Sequence, residues 1–292
     1  MILLTYAADD ALRLGVKTER GVLDVREASA RLKMPEVATT PTTFFEQGLN
    51  ALPALQRLVD KASSTNEDLW LDEDGLRLGP CVAEPGKILC VGLNYRKHAA
   101  ESNMAEPAQP VLFSKFNNAV AAPDEAVPIG GLEQVDYEAE LGVVIGKTAK
   151  SVPEEKALEY VLGYCNANDL SERKLQFVSG QWLLGKTLDK FLPLGPYLVT
   201  TDEVADPQAL NVKGWLNGEL RQDSSTADMI FSVAQTIAYA SRYMTLHPGD
   251  LISTGTPEGV VLGMKEKVWL QPGDTFTVEI GSLGRLTNKM VA

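Results

Sequence analysis

Asp136-Tyr137-Glu138-Ala139-Glu140-Leu141-Gly142-Val143-Val144-Ile145-Gly146 alternates at its start and turns continuously apolar at its end. The spacing predicts a strand. Asp136, Glu138 and Glu140 share one face, and Tyr137, Ala139 and Leu141 the other, before the strand dives into a core. Carboxylates at i, i+2 and i+4 repel one another, and burying them unpaired costs on the order of several kcal/mol. A divalent cation removes that cost. Glu138 and Glu140 are therefore the first candidate metal ligands, and hard oxygen donors favour Mg2+, Mn2+ or Ca2+ over zinc. The bland alternative is a solvated acidic stripe on an edge strand.

Other stretches supply what such a site needs. Residues 161–169 read as a strand ending in an acid, so Asp169 can bring a third oxygen ligand from a second strand. Residues 87–92 read as a short buried strand ended by glycine, followed by the polar, helix-compatible residues 93–101. On a helix His98 and Glu101 lie three apart on one face, a general-base arrangement. Residues 102–109 have little to bury and read as a lid over a ligand. Lys115 ends the strand of residues 110–115, where a cation can meet a ligand carboxylate. Glu172, Arg173, Lys174 and Gln176 form a polar turn. Gly180-Gln181-Trp182-Leu183-Leu184-Gly185-Lys186 sets Lys186 as a candidate for holding a substrate carboxylate or enolate. Leu251-Ile252-Ser253-Thr254 runs into Gly255-Thr256-Pro257-Glu258-Gly259, whose amide and hydroxyl donors suit an anionic group. Neither a P-loop nor a Gly-x-Gly-x-x-Gly fingerprint is present. His247, in the turn Leu246-His247-Pro248-Gly249-Asp250, reads as a loop histidine because no ligand-type partner is locally spaced.

The chain has 292 residues, enough for a sizeable core, with 45% hydrophobic and 23% charged residues. Its formal net charge of -12 and absence of a basic stretch disfavour nucleic acid and anionic membrane surfaces. A small anionic substrate stays open if a metal and a few cations focus charge locally. Cys81, Cys90 and Cys165 are odd in number and lack metal-like spacing, as reduced, buried thiols of a cytoplasmic protein would be. No signal peptide or membrane span is read.

Residues 1–82 read as a small α+β domain, and Ala83-Glu84-Pro85-Gly86 as the boundary to a main domain of residues 83–292. Strands are expected at residues 3–7, 12–16 and 21–25, and helices at 26–32 and about 51–62. In the second helix Asn50 is the expected cap and Pro53 falls in the first turn. Residues 63–68 break it. After residue 86, short strands with Pro-Gly-Asp turns dominate, without βαβ alternation. A helix over 152–160 is expected from a Ser151/Glu154 capping box, and one from near Ser232 from a Ser232/Gln235 box. Residues 191–196 read as an irregular packed crossing, Asn217-Gly218 as a type I′ hairpin turn, and residues 268–270 as a strand.

Glu138-x-Glu140, Asp169, His98 with Glu101, Lys186 and Thr254-Gly255-Thr256-Pro257, together in one chain, resemble the fumarylacetoacetate hydrolase family. Cys90-Val91-Gly92-Leu93-Asn94-Tyr95, Asn168-Asp169, Gly185-Lys186, Asn217-Gly218-Glu219, Met229-Ile230-Phe231 and Pro248-Gly249-Asp250 extend the resemblance from about Lys87 to the C-terminus. The fold it implies is mainly β with α+β elements, a mixed β-sandwich roll preceded by a small N-terminal α+β domain, commonly as a homodimer. It implies Mg2+ or Mn2+ on Glu138, Glu140 and Asp169. It implies a water-activating pair at His98 and Glu101, and substrate-binding positions at Lys186, Thr256, Arg173 and Gln176. The activities implied are hydrolysis of a C–C bond in acylpyruvates and other 2,4-diketo acids, with decarboxylation or isomerisation of oxo acids as the alternative. A 2-oxo acid can chelate such an ion, which stabilises the enolate that appears as the bond breaks. Two positions depart from many relatives: Val261 replaces a glycine and is expected to narrow the pocket or shift its backbone, and Lys174 follows Arg173 where relatives often have aspartate.

Overall fold

The computed structural model describes residues 1–65 and 68–292. Asn66 and Glu67, in the expected break after the second helix, lie outside the described residues. The first third runs β1 (Ile2–Ala8), β2 (Ala11–Thr18), β3 (Gly21–Asp24), α1 (Val25–Arg31), α2 (Pro41–Gln47), α3 (Leu52–Ser63) and β4 (Trp70–Leu71). The middle runs β5 (Ile88–Gly92), α4 (Arg96–Glu101), β6 (Val111–Ser114), β7 (Val120–Ala121), β8 (Val127–Pro128), β9 (Val135–Asp136), β10 (Ala139–Ile145), β11 (Val161–Asn168), β12 (Ser171–Glu172), α5 (Arg173–Gln176) and α6 (Leu183–Lys186). Then follow β13 (Leu192–Thr200), β14 (Asn211–Leu216), β15 (Glu219–Ser225), α7 (Val233–Tyr243), β16 (Leu251–Ser253), β17 (Thr275–Ile280) and β18 (Arg285–Val291).

A large mixed sheet has the order β4-β3-β2-β1-β13-β11-β10-β16-β5-β6, with β7 paired to β13. A five-stranded sheet, β15-β14-β17-β18-β8, packs against it, and β9 pairs with β12. The alternation of the acidic strand decides which side faces which core. Tyr137, Leu141, Val143 and Ile145 share a core cluster with Val212, Phe276 and Val278 of the smaller sheet. Tyr137 stacks on Phe276 at 4.1 Å between centroids. Val144, on the opposite face, packs in a second cluster with Leu55 and Leu58 of α3, Leu162 and Leu251. The expected single strand is broken: β9 ends at Asp136, Tyr137 and Glu138 lie between strands, and β10 begins at Ala139.

The antiparallel register of β10 and β11 pairs Ala139 with Asn168 and Glu140 with Ala167. One step further, the Asp169 N–H donates to the Glu138 carbonyl at 2.9 Å. Register therefore sets Asp169 opposite Glu138 on one face. On the other flank β16 pairs with β10 and runs parallel to β5. The ends of β5, β11 and β16 and the start of β10 thus converge on one place.

Several local expectations need correction. Ser151 does not cap a helix over 152–160. It has φ 51°, and residues Glu154–Tyr160 form a 3-10 helix that starts after Pro153 without a side-chain cap. Asn50 does not cap α3 either, which continues from a 3-10 turn at Gly48–Ala51. Residues 192–196 belong to a strand, β13, paired with β7 at Leu192 and Pro193 and with β11 at Leu194 and Gly195, and the expected irregularity is kept within it: the register with β11 shifts beyond Gly195, which takes φ 137°. Residues 268–270 form no strand; only the Leu270 N–H reaches the Val135 carbonyl. α2 was not expected: Thr40 caps it reciprocally with Thr43, and a Thr-x-x-Thr box lacks the usual Glu or Gln. By contrast, α7 starts on the Ser232/Gln235 box, and Asn217 and Gly218 both take positive φ, 52° and 83°, as a type I′ turn requires.

Candidate active site

Glu138, Glu140 and Asp169 are all buried, and one carboxylate oxygen of each lies within 4.8 Å of the others. Their charge is met from several directions. Lys186, at the end of α6, donates to Glu138 Oε2 at 2.7 Å and to Asp169 Oδ2 at 2.8 Å. Arg173 Nη2 stands 2.7 Å from Glu138 Oε1. Lys115 contacts Asp169 Oδ1 and donates to the Leu170 carbonyl at 2.9 Å. Glu140 Oε2 accepts from the Ser253 hydroxyl and from the Gly255 N–H at 3.0 Å. The donors at the end of β16, expected to suit an anionic group, serve the protein's own carboxylate.

These contacts leave the charge unevenly compensated. Burial raises the Glu138 carboxyl, but Lys186 and Arg173 outweigh it and hold the group below the ordinary range. Burial, then Asp169 and Glu138, push Glu140 well above it. Burial lowers Lys186, yet Asp169 and Glu138 carry it above its usual value. Burial dominates at Lys115 and holds it low. Lys115, Lys186 and Arg173 thus face Asp136, Glu138, Glu140 and Asp169, an excess of one carboxylate in a buried cluster. A set of three converging hard oxygens with surplus negative charge fits a divalent cation of the Mg2+ or Mn2+ type.

His98 and Glu101 sit on α4, directly after the end of β5. Glu101 Oε1 accepts from His98 Nδ1 at 2.8 Å, which leaves Nε2 as the free ring nitrogen. The other Glu101 oxygen accepts the Gly259 N–H at 3.1 Å. Gly259 takes φ 98°, a conformation that favours glycine. The helix is anchored by Arg96, whose Nη1 donates to the Met229 carbonyl at 2.6 Å, and by the Lys97 N–H on Asp228. Asn94, fully buried, ties the preceding turn to Phe231 and to the Thr254 carbonyl.

A cavity of about 850 Å³ has Glu138, Glu140, Arg173, Gln176, Lys186 and Thr256 on its wall together with His98 and Glu101. Trp182, edge-to-face with Phe113 at 5.4 Å, provides an aromatic side. Ser102, Asn103 and Met104, from the expected lid, line it as well.

Lys115 is the exception among the expected substrate contacts. Its side chain is fully buried against Asp169, and it is not part of this wall. Nor does Val261 narrow the pocket, one of the two effects expected of it. Its side chain is in the core, and its neighbours Leu262 and Gly263 form the wall. Lys174 is exposed and paired with Glu133 at 2.7 Å, away from the carboxylates. His247 is an exposed turn residue. Sequence reasoning missed Gln222, whose Oε1 takes the Ala139 N–H at 3.0 Å while its amide nitrogen donates to Thr256 Oγ1 at 2.8 Å. It also missed the connections of Asp136, which accepts the N–H groups of Tyr137, Val261 and Leu262 and the Arg173 guanidinium. The one available signal was Asp136's membership of the acidic stripe.

A family profile described as the C-terminal part of fumarylacetoacetate (FAA) hydrolase matches residues 87–291. The chain is 40% identical to a mitochondrial oxaloacetate tautomerase of Xenopus laevis over 260 residues, covering 88% of this chain and 80% of that one. Among solved structures it resembles the fumarylacetoacetate hydrolase of Exiguobacterium antarcticum, with a TM-score of 0.81, 33% identity, and coverage of 100% and 99%. It also resembles a maleylpyruvate hydrolase from Sphingobium sp. SYK-6, with a TM-score of 0.78, 29% identity, and coverage of 100% and 99%.

Proposed function

The chain belongs to the fumarylacetoacetate hydrolase family, and on that premise we propose that it hydrolyses a C–C bond of a 2,4-diketo acid of acylpyruvate, fumarylpyruvate or diketo-deoxy sugar-acid type. One observation carries the reading: the hydrogen-bonded His98–Glu101 pair lines the same cavity as Glu138 and Glu140, two carboxylates of the three-acid cluster that Asp169 completes from beneath. Glu138, Glu140 and Asp169 would hold Mg2+ or Mn2+, which when bound supplies Lewis-acid stabilisation of developing enolate charge.

The chain's own residues do the rest. Glu101 holds His98 in the tautomer whose Nε2 can take a proton. His98 Nε2 removes a proton from water as the water oxygen adds to the distal, C4 carbonyl. The C3–C4 bond then breaks, its electron pair stays on the three-carbon fragment as an enolate, and the acyl half leaves as a carboxylic acid. His98 returns the proton to C3, giving pyruvate. Lys186, with Arg173 and Gln176 beside it, offsets the negative charge.

The specific observation for a second reading is the tautomerase relative. Oxaloacetate enol–keto exchange needs the same enolate and the same proton carrier but no attacking water. The test is turnover with Mg2+ or Mn2+ of acetylpyruvate, fumarylpyruvate, a diketo deoxy sugar acid and oxaloacetate. Pyruvate, organic acid and carbon dioxide are followed separately. Hydrolysis gives pyruvate and acid in equal amounts, and His98→Ala slows it by roughly 10²- to 10⁴-fold. Inert diketo acids with accelerated enol–keto exchange of oxaloacetate would establish the tautomerase instead. Carbon dioxide above the metal-only rate would establish a decarboxylase.

A further inference from the structure

Asp136 is fully buried and has no solvent to satisfy it. Its Oδ1 accepts the Tyr137 N–H at 2.9 Å and the Val261 N–H at 2.8 Å. Its Oδ2 accepts the Leu262 N–H at 3.0 Å and Arg173 Nε at 2.9 Å. Charge-assisted bonds of this kind are among the stronger ones in a protein, and losing the acceptor strands several buried donors together.

The two sides of this carboxylate lead to the two halves of the site. On one side, Arg173 continues to Glu138 Oε1 at 2.7 Å and, through Nη1, to Gln176 at 2.9 Å. On the other, Val261 and Leu262 open the 3-10 turn Val261–Gly263. The same segment holds Glu101, through the Gly259 N–H and through Gly263, where a Cβ would stand 2.5 Å from the Glu101 carboxyl carbon. Glu101 in turn holds His98.

We propose that Asp136 is a positioning residue, the joint that fixes the His98–Glu101 pair relative to the carboxylate cluster. It touches no cavity space of its own, because its bonds run to the backbone of one loop and to the guanidinium of Arg173. Its catalytic consequence rests on the proposed role of His98. The joint itself does not, so the experiment separates the two.

Native-state hydrogen exchange of the unmodified protein is the first arm. Residues 259–263 and the α4 residues Arg96–Glu101 are expected to open together, with the same opening free energy across a denaturant series. Independent opening would overturn the joint. The second arm is Asp136→Asn, which removes the charge and gives the site a donor where amides already point. Faster exchange is expected in both segments, with Mn2+ binding, read by electron paramagnetic resonance, little changed. Faster exchange in 259–263 alone would overturn the proposal, since Asp136 would then steady only its own loop. The third arm is kinetic. Asp136→Asn is expected to lower kcat about 10- to 100-fold with little change in KM, and to add almost nothing in an E101Q background. Multiplying losses would overturn coupling through Glu101. If the wild type turns over no diketo acid, the functional reading fails while the first two arms still decide on the joint.

Discussion

Gly263 has no room for a methyl group on its Glu101 side. A Cβ there would come 2.7 and 2.8 Å from the two carboxylate oxygens, so in Gly263→Ala the acid must swing away and give up the Gly259 N–H, His98, or both. Gly263 is not among the positive-φ glycines, so the backbone tolerates alanine and the effect is confined to Glu101. We expect kcat to fall by roughly ten- to a hundredfold, with melting temperature and Mn2+ affinity near wild type; an unchanged kcat would remove Glu101 from the mechanism. At this scale, the acids of the site were legible because buried like charges demand compensation. Glu138 and Glu140 showed it through their two-residue spacing, Asp169 through its strand end, and His98 with Glu101 through their three-residue spacing. The groups that answer those charges were not. Ser253 lies 113 positions from Glu140 and Val261 lies 125 from Asp136, and no local period links such residues. Lys115 ends a strand, a position that suits a ligand contact. The nearest carboxylate proved to be Asp169.

At the scale of the element, α1 starts on Asp24, whose carboxylate accepts the Glu27 N–H at 3.0 Å and Arg13 Nη1 at 2.7 Å from the neighbouring strand β2. Burial alone would raise this acid. The Glu27 N–H and Arg13 counter burial, and the acid is held below its ordinary value. A depressed folded-state value means that the unfolded chain binds the proton first as pH falls. The contribution is therefore complete above the unfolded carboxylate range, near pH 4, and is lost as pH drops through the folded value. Asp24→Asn keeps a capping side chain and removes only the charge. It is expected to cost about 1–2 kcal/mol at pH 7, measured by urea unfolding, and progressively less below pH 4. A pH-independent difference would mean that the cap geometry, not the charge, carries the effect. Elements were legible where local chemistry and tertiary partners agree, as at α7 and the 217–218 hairpin turn. They were not legible where tertiary structure decides. β13 accepts two prolines and a glycine into a ladder because β1, β7 and β11 supply partners, and the acidic strand breaks at Tyr137 and Glu138 so that Asp136 can turn toward Val261.

Over the whole molecule, the strands of the first third continue the large sheet. β1 pairs with β13 through Ile2 with Val199 and Leu3 with Leu198, and one core cluster joins Leu3, Leu14, Phe44, Leu55 and Leu58 to Val144, Leu162, Leu198 and Leu251. Val144 and Leu162 belong to the paired strands that carry Glu140 and lead to Asp169, and Val144 shares a face of β10 with Glu140, so the first third packs on the face that carries the carboxylates, further along the same strands, and supports the site from the side. Composition could not disclose this, because apolar periodicity marks a buried face without naming what covers it. The shared core makes a definite prediction. Leu198 is 1% exposed and lies at the seam, and Leu198→Ala is expected to cost about 2–5 kcal/mol through lost burial and a residual cavity. Because the cluster spans both parts, that cost should appear in a single transition. Far-UV circular dichroism, tryptophan fluorescence from Trp70 near the start and Trp215 in the smaller sheet, and enzymatic turnover should all shift together along a urea series. A variant in which the signal of the first third moves to lower urea while turnover keeps its wild-type midpoint would show two independent cores. The strands of residues 1–71 would then be an attachment to the catalytic sheet rather than its support.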